Sequence, residues 1–196
     1  DSIDDNYLEL INEKMIPSIE IIIKERENFF QNINLWISDI YQTISKSNTK
    51  IEIVYKSCSD INDLKENLFK SIEKDKIYRY ATFGPHHDDY YFKFDDYELN
   101  SVASQGQKRM VFIAFKFALI KYIEMLTNSK PVILLDDVLS ELDRNRQQKL
   151  LKSIGDTQTV ITCTGYEDFI RERISLDKIF EVEMGKVKEV GIREND

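Results

Sequence analysis

Two adjacent carboxylates, Asp136 and Asp137, close an apolar run that begins at Val132, and Ser140-Glu141-Leu142-Asp143 follow a short distance on. The carboxyl end of a strand in a parallel sheet is where such sheets place their ligands. There one carboxylate can hold Mg2+ through water while its neighbour polarises an attacking water, the division of labour that phosphoanhydride hydrolysis requires. The plainer alternative is two acids that end a strand and cap the next turn. The run Leu134-Leu135-Asp136-Asp137 with Ser-Glu-Leu-Asp behind it favours the chemistry.

A second candidate lies upstream. Ser104-Gln105-Gly106-Gln107 is expected to precede a long apolar helix, so that free backbone amides and the positive end of the helix dipole point outward. Gly106 lets a phosphate approach the backbone closely. The alternative is an ordinary cap with Ser104 as its first residue. Lys108 and Arg109 add positive charge, as solvated helix starts commonly do. Gly84-Pro85-His86-His87-Asp88-Asp89 is a third cluster; consecutive ligands seldom converge on one ion, so a hydrogen-bonded turn is expected there.

These residues need elements to hold them. From Tyr7 to Ile44 apolar residues recur at helical spacing, with a kink or interruption expected near Pro17. Ile51 to Lys56 reads as a short strand, Asp60 as the N-cap of a helix through about Glu73, and Tyr90–Phe94 with Tyr97–Leu99 as a hairpin around Asp95-Asp96. Gln107 to Leu126 predicts a buried helix, which makes Phe112, Phe115, Phe117 and Tyr122 core residues rather than a base-stacking platform. After Pro131 the order is strand (132–136), helix (144–154), strand (158–163), helix (167–173) and strand (178–183), with a last hairpin turning at Gly185-Lys186. That alternation indicates a parallel sheet covered by helices. The division expected is a helical lobe over 1–128 and an α/β part over 129–196. Arg144, Arg146, Lys149 and Lys152 fall on the first helix of the second part, more as a solvated face than as a phosphate-binding row.

Composition sets outer bounds. With 196 residues and 42% hydrophobic content the chain can bury a core, which argues against disorder. A net charge of −8 argues against a uniformly basic coat for nucleic acid, without excluding a local patch. Cys58 and Cys163 form no Cys-x-x-Cys pair, so neither a disulfide framework nor a zinc site is indicated, in keeping with a reducing cytosol. The longest apolar segment carries Lys116, Lys121 and Glu124, so no membrane span is expected. None of the six glycines belongs to a Gly-x-x-x-x-Gly-Lys-Ser/Thr loop. The expectation is a piece of a longer polypeptide whose N-terminal part carries that loop.

Ser104 to Gln107, Leu134 to Asp143 and Gly84 to Asp89, in that set and chain order, resemble the RecF family of bacterial recombination-mediator ATPases, whose ABC-type head is related to SMC proteins. The resemblance covers nearly the whole chain and corresponds to the C-terminal half or slightly more of such a protein. It implies an α/β fold of the P-loop NTPase type: a helical lobe followed by the parallel-sheet half that carries Walker B, with the Walker A half absent. It makes Ser104, Gln105, Gly106 and Gln107 the signature motif, contacting ATP held by the opposite protomer. Asp136 becomes the Mg2+ carboxylate, Asp137 the catalytic or water-orienting residue, and Ser140, Glu141, Leu142 and Asp143 the D-loop. Thr164 takes the γ-phosphate switch position. It implies ATP and Mg2+ as cofactors of the intact protein, an ATP-dependent homodimer, and DNA as a partner, single-stranded or as a gapped duplex. RecR and RecO, RecA loading, and a place in bacterial cytoplasmic DNA replication, repair, recombination and the SOS response follow from the same resemblance. The stretch alone is expected to lack ATPase activity. The family's Arg is His87 here, which puts the role of that cation in doubt. The competing readings are a nucleotide-independent helical interaction or DNA-docking module, or another SMC-like head.

Overall fold

A computed structural model describes residues 5–139, 142–163 and 177–190. The chain forms two compact units, residues 1–129 and 130–196.

The first unit begins with α1, Asp5–Asn34, a single helix that passes through Pro17. The helix is not interrupted at the proline; the first interruption falls after Asn34. Pro17 removes one helical hydrogen bond, but Ile19 and Ile23, one turn apart, are buried against Leu64 and Leu68 and hold the chain helical beyond it. What stops α1 is a long-range contact. The Asn34 side chain accepts from the Ile53 amide and donates to the Ile53 carbonyl, both at 2.8 Å, as a neighbouring strand would. The next helix, α2 (Ile37–Ser45), buries Ile37, Ile40, Tyr41 and Ile44 along one face. From α2, Ser38 accepts from the amide of Ile51.

Strand β1 (Ile51–Lys56) has the bounds expected of it. Asp60 opens a short 3-10 turn without a side-chain cap bond, and α3 runs from Leu64 to Tyr78, beyond the expected end at Glu73. A second 3-10 turn, Pro85–His87, leads into β2 (Asp89–Phe94), and β3 (Tyr97–Glu98) returns through Asp95-Asp96. The hairpin is not alone: β1 pairs antiparallel with β2, with Ile53 opposite Phe92, giving the order β1-β2-β3. A single-turn helix α4, Leu99–Val102, precedes α5, Gln105–Thr127. Met110, Val111, Ala114, Phe117 and Ala118 are the buried face of α5. Phe112 is 51% exposed, so α5 is one-sided rather than buried all round.

In the second unit, β4 (Ile133–Asp136) and β5 (Thr159–Thr162) pair in parallel, with Asp136 opposite Thr162. Helix α6, Arg144–Ile154, crosses between them in sequence. Ile133, Leu135, Leu139, Leu142 and Leu150 are buried, whereas Leu134 is 73% exposed. The strand expected to be buried on both faces is therefore buried on one. β6 (Ile179–Glu183) and β7 (Lys186–Val190) form an antiparallel hairpin around Met184-Gly185. Among the described residues β6 pairs with β7 and does not extend the β4–β5 sheet. The helix expected over 167–173 lies outside the described residues.

Candidate nucleotide site

Asp136 and Asp137 stand at the carboxyl end of β4, both exposed. The parallel register brings Thr162 beside them. Its hydroxyl donates to Asp136 Oδ1 at 2.5 Å and accepts from the Asp137 amide at 3.1 Å. Asp137 also leaves the strand with φ +51°, a left-handed conformation that costs a non-glycine residue about 1 kcal/mol. That turn ends the strand's zigzag and redirects the second carboxylate. Asp136 Oδ2 accepts no hydrogen bond among the described residues, so one hard oxygen stays available beside an oriented one. Such a donor set fits Mg2+, which takes one or two carboxylates and leaves its other positions to water and phosphate.

Leu142 and Asp143 follow in a turn closed by the Leu142 amide on the Leu139 carbonyl. Leu142 is buried. Asp143 is the N-cap of α6: its Oδ1 accepts from the amides of Asn145 and Arg146, and Oδ2 pairs with Arg146 at 3.3 Å. Ser140, Glu141 and Thr164 lie outside the described residues. Gln147, passed over in the sequence, donates to the Leu139 carbonyl at 2.6 Å from a buried position and thereby ties this turn to α6. Thr162 carries its own signal in the sequence, as the last residue of the strand beside Asp136.

In the first unit, Gln105, Gly106 and Gln107 are the first turn of α5 rather than the loop before it. Ser104 is the N-cap of a capping box: its hydroxyl accepts from the Gln107 amide, and the Gln107 side chain accepts from the Ser104 amide at 2.8 Å. A residue that reads as a helix breaker is thus absorbed by a strong cap. The amides of Gln105 and Gly106 find no acceptor among the described residues, as expected of a helix start. A Cβ at Gly106 would meet nothing within 4 Å. Packing within the chain does not demand glycine at this exposed position, although glycine costs a helix up to about 1 kcal/mol against alanine.

The Gly84–Asp89 cluster is a hydrogen-bonded turn. Asp88, with a side chain 3% exposed, accepts from Tyr55, Arg26 and the Cys58 amide, and Arg26 also donates to the Pro85 carbonyl. Burial raises the Asp88 carboxyl, but the hydrogen bonds from Tyr55, Cys58 and Arg26 outweigh it and hold the group below the usual carboxylate range. The same surroundings push the Cys58 thiol up to about 11, through burial first and the Asp88 charge second. Gly84 has φ +142°, and a Cβ there would stand 3.2 Å from the His86 ring. His86 and His87 are exposed with rings in contact. Among the described residues no group of three or more His, Cys, Asp or Glu is arranged to hold a metal ion.

No protein-family model matches the chain. It is 40% identical over 180 residues to the DNA replication and repair protein RecF of Lachnospira eligens, covering 92% of this chain and 50% of that one. It is 36% identical to the RecF of Clostridium kluyveri, with 94% and 53% covered. A solved structure of the recombination mediator protein RecF with ATP, in the RecFOR pathway, superposes with a TM-score of 0.82 at 32% identity, covering 95% of this chain and 51% of that one. The chain belongs to the RecF family. It spans about half the length of the curated relatives it matches. An SMC head bound to the C-winged helix domain of ScpA matches at TM-score 0.51 and 18% identity, a likeness of fold. The RecF-family chain thus has the P-loop NTPase fold of ABC-type heads. No helix among its described residues is long and apolar enough to cross a membrane.

Proposed function

We propose that this RecF-family chain supplies the Walker B and signature parts of an ATP-driven DNA clamp used in replication and repair. The observation that carries the reading is the pair of exposed carboxylates at the end of β4, one oriented by Thr162 and the other redirected by a left-handed turn. Asp136 would hold Mg2+ through water, and Asp137 would orient the water that attacks the γ-phosphate. When bound, the ion supplies charge neutralisation across the phosphates. The open first turn of α5, with Ser104, Gln105, Gly106 and Gln107, would receive the γ-phosphate of ATP held by a second protomer, its amides and dipole favouring the anion. Leu142 and Asp143, with Ser140 and Glu141, would run along that dimer contact, and Thr164 would take the switch position.

The names of the relatives and the RecF–ATP structure support ATP and DNA as ligands. ATP-dependent dimerisation on gapped or single-stranded DNA, work with RecR and RecO, and RecA loading complete the proposal. The 196-residue chain, which contains no P-loop sequence, would not turn over ATP by itself. The test is Asp137→Asn in a protein that pairs this chain with a P-loop lobe. ATP binding should persist, turnover should fall about 100-fold or more, and the ATP-bound dimer should accumulate by light scattering. Normal turnover in that variant would sink the assignment of Asp137.

A further inference from the structure

The C-terminal end of α3 presents an aromatic and basic surface that the nucleotide site does not use. Ile77, Tyr78 and Tyr80 are 74%, 59% and 61% exposed, and the two tyrosine rings lie 5.8 Å apart at 39°. Apolar side chains this exposed and this close together mark a contact surface more often than chance. Arg79 between the tyrosines and Lys74 one turn earlier have no acidic partner among the described residues. Of the nearby acids, Glu73 pairs with Lys76, and Asp75 is occupied by Thr82 and Ser71. From Lys74 to Arg79 there are three basic residues and one acid, in a chain whose net charge is −8.

The backbone under this surface is fixed. Arg79 closes α3 in the left-handed region at φ +61°, its amide on the Asp75 carbonyl at 2.7 Å. Asp75 Oδ1 accepts from both the amide and the hydroxyl of Thr82, at 2.7 and 2.6 Å, and His86 Nε2 donates to the Ala81 carbonyl at 2.9 Å. The Gly84–His87 turn thereby braces the segment that carries the tyrosines. Rigid, solvent-facing rings interleaved with unpaired cations are what a single strand of nucleic acid needs: faces for unpaired bases and charges for its phosphates. A duplex keeps its bases stacked inside and gains only the charges.

We infer that Tyr78, Arg79 and Tyr80, with Lys74, form a binding site for single-stranded DNA. This deepens the reading of DNA as a ligand and rests on it. The test measures fluorescence anisotropy of a labelled oligothymidylate and of a matched duplex with the intact protein. Changing both tyrosines, Tyr78→Ala with Tyr80→Ala, should weaken the single strand tenfold or more, on the order of one lost stacking contact, and leave the duplex unchanged. The matching phenylalanine pair should bind like wild type, and Lys74→Glu should lower the salt dependence by about one phosphate contact. Unchanged single-strand affinity in the alanine pair, with an unchanged melting temperature, would overturn the site and leave the patch to a protein partner. Equal losses on both DNAs would overturn it as well. Wild-type protein that binds duplex but no single strand removes this site alone; protein that binds neither removes the DNA reading with it.

Discussion

Two of the molecule's Asp-Asp pairs, Asp88-Asp89 and Asp136-Asp137, are alike in sequence but not in fate. In the first unit the Asp88 side chain is buried and saturated, with donors from helix α1, from strand β1 and from Cys58, two residues beyond that strand. In the second unit Asp136 and Asp137 are exposed, and Thr162 reaches both of them. A carboxylate whose oxygens are all engaged holds a fold together. One with an oxygen to spare, at the end of a parallel strand, is available to a ligand. Position in the motif does not separate the two cases; the count of donors does.

The contrast is broken most directly by Asp88→Ala. Removing the hub leaves Arg26, Tyr55 and the Cys58 amide without their common partner, so unfolding free energy should fall by about 3 kcal/mol or more. Asp136→Ala, by comparison, should change it by less than about 0.5 kcal/mol, as read by denaturant unfolding of both variants. A mild Asp88→Ala would erase the distinction.

The same contrast has a pH signature. Asp88 titrates lower in the folded state than in the unfolded chain, so its contribution is fully present above the ordinary carboxylate value of about 3.9 and is lost as pH falls through its lower folded value. Wild type should therefore lose stability on acidification more steeply than Asp88→Asn. Parallel acid-unfolding curves for the two would remove the hub's electrostatic role.

A smaller effect is expected at the other pair. Thr162→Val deletes the hydroxyl that orients Asp136 and accepts from Asp137. Stability should change by about 1 kcal/mol or less, while turnover in a protein that pairs this chain with a P-loop lobe should drop about tenfold, the usual cost of losing a group that orients a metal ligand. Undiminished turnover would show that Thr162 matters only to the strand.

The least disruptive probe is chemical. Cys58, half-buried next to Asp88 and raised to about 11, should react with iodoacetamide near neutral pH much more slowly than exposed Cys163. Mass spectrometry of the time course would show the order, and equal rates would mean that the Asp88 pocket opens readily.

Much of the second unit was legible because its signals are local. The apolar run before Asp136 marked β4, and α6 starts at Arg144 because Asp143 caps it and ends before Gly155. Helix α5 starts two residues before the expected Gln107, because the reciprocal Ser104–Gln107 cap carries the helix through Gly106. Contacts between distant residues left no mark. Arg26 and Asp88 lie 62 positions apart, and nothing in either neighbourhood says that they meet. Asn34 ends α1 for a reason that resides in Ile53, so the place of the interruption could not be read from Pro17, the visible local signal. The one-sided burial of β4 has a similar cause, since a run of apolar residues does not say whether both faces of a strand are covered.

The contacts of Asn34 and Ser38 with β1 also govern how this sheet can meet other chains. Amide and carbonyl of Ile53 and the amide of Ile51 are already engaged by side chains, so that border offers no template for an incoming strand. The opposite border is β3, two residues long, followed by residues 89–92 of β2, which pair with no further strand among the described residues. Strand addition is thus blocked at Ile51 and Ile53 along β1 and confined on the far side to the short stretch of β2 beyond β3.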